Sequence, residues 1–168
     1  MNNISSDYNM RLKYNHKSLL DSFEKFYEAS NEANNHKIYT SIGELLLWIM
    51  TSDEWHRVHG GENYSNLRSE DPEGKLLLGM AHAFNSFKHN MNFFKIHTKR
   101  GGMSFPISFP LVFKPVVIEW MEAGDILEGK HPNQKKNYIK YLEGKDVEET
   151  FRSVISFLSK EYSKINIE

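Results

Sequence analysis

The first half of the chain follows the period of amphipathic helices, with apolar residues at steps of three and four. One such stretch covers residues 16–33 and a second covers residues 37–50. The polar segment NEANNHK between them contains two adjacent asparagines, which favour a break. We predict two helices, the second extending as far as Gly60 and Gly61, followed by a polar loop over residues 62–71.

A third helix is predicted to begin at Asp71 and Pro72. Aspartate is a favoured N-cap residue, and proline fits the first helical position. The apolar period continues through Leu77, Met80, Phe84, Phe87, Met91 and Phe94. Because glycine commonly follows the end of a helix, we expect this helix to end near HTKRGG, residues 97–102.

The segment over residues 103–120 differs in kind, because its apolar residues alternate with a period of two. The alternating residues are bulky: Phe105, Ile107, Phe109, Leu111 and Phe113. Prolines at 106, 110 and 115 each remove a backbone donor and restrict the segment to sheet edges, bulges or a bent arm. We predict a Pro-interrupted β hairpin or arm that packs over the helices or across a homodimer.

The C-terminal part returns to helical patterns. A loop over residues 121–134 precedes a short helix in QKKNYIKYLEG, and Asp146 with Glu149 has the spacing of a capping box before the last helix. Residues 1–15 are polar and are predicted as a flexible arm or an early helical turn. We expect one mainly α domain over residues 1–168, a four- or five-helix antiparallel bundle with the β-type insert.

Composition narrows the class of protein. The 168 residues are 39% hydrophobic and 13% aromatic, which is enough for a core. The net charge of −1 excludes a global basic field for nucleic acid. The absence of cysteine suits a reducing compartment, the N-terminus has no apolar signal-peptide core, and no run approaches the ~20 apolar residues that cross a membrane. We expect a soluble cytoplasmic protein that makes no contact with a membrane.

The stretch AHAFNSFKHN, residues 81–90, places two histidines and two asparagines within the apolar third helix. At about 100° per residue, the polar side chains lie together, roughly opposite the apolar stripe. This polar stripe consists of His82, Asn85, His89 and Asn92. A solvated helix face explains it, and so does a cleft facing a partner subunit, a nucleotide or RNA, where histidine could act as acid or base.

The segment FNSFKH resembles the signature of HEPN-fold proteins, which is arginine, a polar residue, three variable residues and histidine on a late helix of a bundle. Asn85 matches the polar position and His89 the histidine. The resemblance implies relatives that are ribonucleases of toxin or phage-defence systems, active as dimers. The arginine position holds Phe84, expected to point inward, and losing such a donor typically costs about 10²–10³ in rate. The missing arginine therefore favours an inactive relative of these proteins.

The sequence DEWHRVHG places His56 and His59 three residues apart, where they could share a metal with Glu44 or Asp53. A third ligand at matching spacing is missing. A simpler interpretation is that Trp55 packs at a helix end, where the histidines favour the helix dipole. We predict neither a metal site nor a cofactor.

A local basic patch is the last candidate. Lys88 and Lys95 are predicted on one flank of the third helix, close to its basic end. Such a patch could contact phosphate, or it could be an ordinary charged helix end. The candidate binding residues are His82, Lys88, Asn92, Lys95, Lys99 and Arg100.

Two functions follow as expectations. The first is a non-enzymatic helical interaction protein, an inactive HEPN-like protein of a bacterial toxin–antitoxin or phage-defence system or mobile element, acting as a homodimer or with a protein partner. The alternative is a metal-independent endoribonuclease. In that case His89 is the general acid or base, Asn85 positions a phosphate or hydroxyl, and Lys88 or Arg100 supplies charge.

Overall fold

The computed structural model describes residues 4–89, 92–98, 116–126 and 131–165. The described part contains five helices and two strands. In chain order these are α1 (Ile4–Asn31), α2 (Asn35–Glu70), α3 (Pro72–Lys88), β1 (Phe94–Thr98), β2 (Val116–Trp120), α4 (Pro132–Tyr141) and α5 (Val147–Ser163). The mainly α class with a small β element is confirmed. Of the two alternatives predicted for residues 1–15, the helical one is found from residue 4 onward, because α1 already begins there.

The first two helices meet where the asparagines predict a break. Ala33 has a positive φ of 51°, and the side chain of Asn34 caps α2 by accepting a 3.0 Å hydrogen bond from the backbone NH of Lys37. Such a cap satisfies one of the free NH groups at a helix start. The break is therefore confirmed.

The long helix α2 bends at Gly61, where φ is 58° and ψ is −140°, and then resumes as far as Glu70. The predicted polar loop over residues 62–71 is therefore wrong. Tyr64 is buried and Leu67 packs against the core, so this segment does carry apolar residues at helical spacing. The glycine-rich segment changes the direction of the helix without ending it.

The predicted start of α3 is confirmed, but its predicted end is wrong. The Asp71 side chain accepts hydrogen bonds from the backbone NH groups of Glu73 and Gly74. The helix ends at Lys88, and residues 94–98 form strand β1. The segment FKIHT alternates apolar and polar residues, which is typical of a strand. Its pairing with β2 is a contact between residues far apart in the chain, which helical periodicity within a short window does not detect.

The two strands pair antiparallel, with Phe94 opposite Trp120 and Ile96 opposite Ile118. The insert prediction is tested only at its end, since residues 103–115, with the three prolines and alternating apolar residues, lie outside the described residues. Trp120 is fully enclosed, and its indole nitrogen donates a 2.8 Å hydrogen bond to Thr150 of α5. The sheet is thereby attached to the last helix.

The C-terminal helices follow the prediction with one shift. Helix α4 begins at Pro132, inside the predicted loop, and ends at Tyr141, before the predicted end. The Asp146 side chain caps α5 by accepting from the backbone NH of Glu149, which confirms the capping prediction. The core between these elements is rich in large side chains, including Phe26, Ile42, Leu45, Met80, Phe93, Trp120, Tyr138 and Phe151. Within the described part, no helix has the length and hydropathy of a membrane span.

Candidate functional site

His82 does not face solvent, so the predicted outward direction of the polar stripe is wrong at this residue. The side chain is only 2% exposed and its ring lies edge-on to Tyr138 of α4, with ring centres 5.2 Å apart. Burial, and then the charge of Lys135, lower the pKa of His82. Its Nε2 atom has no hydrogen-bond partner among the described residues. Helix α4 covers this face of α3 at His82, so this part of the stripe lies at a helix–helix interface.

Asn85 also contacts α4. Its side-chain amide donates a 2.6 Å hydrogen bond to the Gln134 side-chain carbonyl and is half-buried. His89, by contrast, is the exposed C-cap residue of α3, and Asn92 is exposed before β1. The structure therefore divides the four residues between a packed interface and open solvent.

Phe84, at the position where the HEPN-like motif has arginine, lies at the edge of the core. It is half-buried, packs against the core, and lies beneath the Lys88 ammonium, which is 4.8 Å from the ring centre. The inward direction predicted for Phe84 is only partly right, because its ring also lines a surface groove. Phe87 does point inward, against Gly43 of α2. At this position of the motif, the structure places a cation–π contact between Lys88 and Phe84 in place of an arginine.

The predicted basic patch is largely dispersed. Lys95 lies on β1, so it shares no helix flank with Lys88, and its ammonium pairs with Asp125 at 3.2 Å. His97, also on β1, lies 3.1 Å from a carboxylate oxygen of Glu119. Lys99 and Arg100 lie outside the described residues. Within the described residues, the carboxylates of Asp125 and Glu119 lie beside Lys95 and His97. They reduce the local positive potential that would attract a phosphate.

An apolar groove crosses the solvent-facing side of α2, between the N-terminal part of α1 and the C-terminal part of α3. We call it the α2 groove; its volume is about 580 Å³. Leu47 and Val58 are 44% and 62% exposed there, on the side of α2 opposite the core. The remaining lining consists of Tyr8, Arg11, Met50, Thr51, Glu54, Trp55, His59 and Phe84. The sequence contains a signal for this groove, because apolar residues recur at helical spacing on the face of α2 opposite the core.

A polar network joins the two halves of α2 across the bend at Gly61. Asp53 is buried and accepts hydrogen bonds of 2.7 Å from the Tyr64 hydroxyl and from the Arg68 guanidinium. Burial raises the pKa of Asp53, and Arg68 and the two hydrogen bonds partly oppose that change. Sequence reasoning missed this network, although Asp53 continues the apolar stripe of Ile49, where a carboxylate is unexpected.

The histidine pair predicted as a weak metal site has a different setting. His56 is 4% exposed and stacks on Tyr64, whereas His59 packs on Trp55 with ring centres 4.4 Å apart. Burial, reinforced by neighbouring cations, lowers the pKa of His56 to about 4, so it is neutral near pH 7. The helix-dipole interpretation is therefore wrong for His56. Among the described residues, no group of three or more His, Asp or Glu side chains could hold a metal.

Comparisons of the chain with protein-family models, with curated proteins and with solved structures find no significant match. The HEPN-like resemblance consequently stays a prediction that rests on the residues themselves. The α2 groove and the polar interface of α3 with α4 are the features of the described structure that bear on function.

Proposed function

We propose that this chain is a non-enzymatic helical interaction protein, which binds an apolar segment of another polypeptide in the α2 groove. The observation that carries the proposal is the exposure of Leu47 and Val58 beside three aromatic rings. Single exposed apolar side chains are ordinary, but a continuous apolar patch with a concave shape is typical of an interaction site. Covering these side chains would remove apolar surface from water, which is favourable.

The groove has the composition of a protein interface. Tyr8, Trp55 and Phe84 supply aromatic surface, and aromatic residues are enriched at interface centres. Polar groups form the rim: Arg11 lies at one side, and Glu54 is held by a bidentate ion pair with Arg57. An apolar centre with a polar rim is the usual anatomy of a binding patch.

The groove is also held in shape before any partner binds. The Trp55 indole nitrogen donates a 3.1 Å hydrogen bond to the backbone carbonyl of Tyr8, which fastens α1 to α2. The Tyr8 and His59 rings meet at 4.9 Å, and the Lys88 ammonium fixes the outer side of Phe84. Such preorganisation lowers the entropic cost of binding.

The placement of the motif residues supports a non-enzymatic role. Asn85 is engaged with Gln134, and the Lys88 ammonium lies over the Phe84 ring, so neither is positioned for catalysis. We also propose the finer assignment made from the sequence, an inactive HEPN-like protein of a cytoplasmic defence or mobile-element system. The absence of cysteine is consistent with the reducing cytoplasm.

The ribonuclease alternative is favoured by one observation, the exposure of His89 directly beside exposed Lys88. An exposed imidazole next to a cation is compatible with acid–base chemistry on a phosphate. RNA cleavage by wild type and by His89→Ala distinguishes the two functions. Equal, background-level products from both proteins fit the interaction protein, and a loss of cleavage in the variant would establish the enzyme.

A peptide-display selection tests the proposed groove. Random peptides of about 20 residues, long enough for five helical turns, are selected on the wild-type protein and counter-selected on Val58→Asp. We expect enriched peptides with apolar residues at helical or strand spacing that bind wild type and lose binding to Val58→Asp. Ile139→Asp is the matched control, since Ile139 is 48% exposed on α4, away from the groove. Enriched peptides that bind Val58→Asp as well as wild type would contradict the proposal.

A further inference from the structure

The bend in α2 forms a second cavity, separate from the α2 groove. This kink pocket has a volume of about 460 Å³ and lies between the bend and the C-terminal end of α5. Its principal lining residues are Trp55, His56, His59, Asn63, Tyr64 and Lys164. Trp55 and His59 also border the α2 groove and form the wall between the two cavities. The volume falls in the range of small-molecule sites.

The bend is energetically costly. Gly61 has a backbone conformation of φ 58° and ψ −140°, which residues with a side chain rarely adopt. Asp53 is buried to hold Tyr64 and Arg68 beyond the bend, although taking a carboxylate out of water is unfavourable. A continuous helix would need neither feature. Glycine adopts this conformation without a steric clash because it has no Cβ, so the cost of the bend lies in the buried carboxylate.

His56 is the group in the kink pocket whose hydrogen-bonding capacity the described protein leaves unused. The residue is 4% exposed, is held between the edge of Trp55 and the face of Tyr64, and makes no hydrogen bond to another described side chain or backbone group. A neutral imidazole offers one donor and one acceptor. The ring nitrogens of His56 are not among the side-chain atoms that are buried without a partner, so they open onto the cavity, where a ligand can bond to them.

The remaining lining defines the chemical class of the ligand. Trp55 and Tyr64 provide aromatic surface, and the exposed Asn63 amide adds a second donor and acceptor. At the mouth, Glu161 and Lys164 form an ion pair at 2.5 Å, so neither sign of charge is favoured there. A ligand with a formal charge would lose its hydration without gaining a free counter-charge.

We propose that the kink pocket binds a small, uncharged, planar aromatic molecule that carries a hydrogen-bond donor and acceptor on one edge. The aromatic ring packs in the cavity against the aromatic wall of the pocket, beside the His56 ring that lies between Trp55 and Tyr64, and the polar edge meets His56 and Asn63. This binding is independent of the α2 groove, because the ligand occupies the opposite side of the wall formed by Trp55 and His59.

Benzamide is the test probe, because it combines a flat ring with one amide. We expect saturable chemical-shift changes at Trp55, Gly60 and Asn63 when the isotope-labelled full chain is titrated, with a Kd of about 1 mM. Three matched compounds define the class: benzylamine as the cation, benzoate as the anion and cyclohexanecarboxamide as the non-planar amide. Each is expected to bind at least about fivefold more weakly, a difference of about 1 kcal/mol.

Two variants locate the site. His56→Phe keeps a ring of similar shape but removes both nitrogens, and we expect about tenfold weaker binding of benzamide. Asn63→Ala changes an exposed side chain with little risk to folding, and we expect about threefold weaker binding. His89→Phe, outside the pocket, should bind benzamide like wild type, and so should Val58→Asp if the groove is separate.

The proposal is overturned if benzamide shows no saturable shifts at the pocket, if its charged analogues bind equally well, or if Asn63→Ala and His56→Phe both retain wild-type affinity in folded protein. Circular dichroism establishes that each variant is folded. The display selection tests the α2 groove, and the benzamide titration tests the kink pocket. A negative result in one experiment therefore does not change the interpretation of the other.

Discussion

The Asp53 carboxylate, before the bend in α2, accepts a 2.7 Å hydrogen bond from the Tyr64 hydroxyl beyond it. The bond joins two turns of one helix that do not share a common axis, because Gly61 lies between them. Arg68 completes the network with an ion pair to the second carboxylate oxygen, also at 2.7 Å. Removing one partner would leave a buried carboxylate oxygen without its donor, and that is more costly than the net value of the bond.

We therefore predict that Tyr64→Phe lowers the free energy of unfolding by about 1–3 kcal/mol. Urea denaturation of wild type and variant measures the difference. Tyr14→Phe is the control, because Tyr14 is 62% exposed and its hydroxyl can bond to water. Equal losses in the two variants would mean that the Asp53 network adds nothing to stability.

Gly61→Ala tests the bend itself. The alanine would have to adopt a positive φ of 58° with ψ of −140°, although the space around the new methyl group is open. We predict a loss of about 1–3 kcal/mol from backbone strain alone. Gly124→Ala is the control, since the space around residue 124 is also open and its φ is ordinary. A variant as stable as wild type would show that the helix can straighten at no cost.

Gly43 permits the close packing of α2 against α3. A Cβ atom at residue 43 would come within 2.1 Å of the Phe87 ring, which is far inside van der Waals contact. We predict that Gly43→Ala destabilises the protein by about 1–3 kcal/mol, the usual cost of overpacking. The double variant with Phe87→Leu should be less destabilised than the sum of the two single variants, because the smaller side chain makes room for the methyl group. Strict additivity in urea denaturation would contradict this packing relationship.

The pH dependence of stability should report His56. Its pKa is lowered to about 4 in the folded protein, whereas the unfolded chain has the ordinary value of about 6.5. Between these values the unfolded state binds a proton that the folded state rejects, so stability falls as pH drops from about 6.5 towards 4. The contribution is fully present above pH 6.5 and reaches a slope of about 1.4 kcal/mol per pH unit below it. His16 and His82, whose pKa values are also lowered, act in the same direction.

His56→Phe isolates this contribution. We predict that the variant loses less stability than wild type when urea denaturation is repeated from pH 7 to pH 4.5. Asp53, whose pKa is raised, contributes with the opposite sign at the acid end, but it is present in both proteins and cancels in the comparison. Leu20→Ala, an exposed change without a titratable group, should keep the wild-type slope. Parallel curves for wild type and His56→Phe would refute the assignment.

Some elements could be predicted because their signals are local. The caps at Asp71 and Asp146 lie where aspartate precedes a helical pattern, and each side chain bonds to backbone NH groups two or three residues later. The break at residues 32–34 is local too, since Asn34 caps the helix that it precedes. Interactions over so few residues are largely independent of the rest of the fold.

Other predictions were wrong because the deciding contacts are distant along the chain. His82 and Asn85 form a coherent polar stripe, yet α4 packs over it and Asn85 bonds to Gln134, 49 residues away. A helical count sorts side chains into faces, but it cannot say how many faces are covered. Residues 94–98 continue the helical period of α3 and also alternate like a strand, and their pairing with residues 116–120 decides between the two.

The amino-acid sequence by itself determined a mainly helical chain, the start of α3 and of α5, the break before α2 and a segment with β character. These features rest on backbone capping and side-chain periodicity within a few residues. Only the tertiary structure decided that α2 bends and continues, that His82 is buried, and that Leu47 and Val58 share a groove while His56 lines a pocket. The physical reason is that burial depends on which distant helix packs against a face, and that choice is made by the whole core at once.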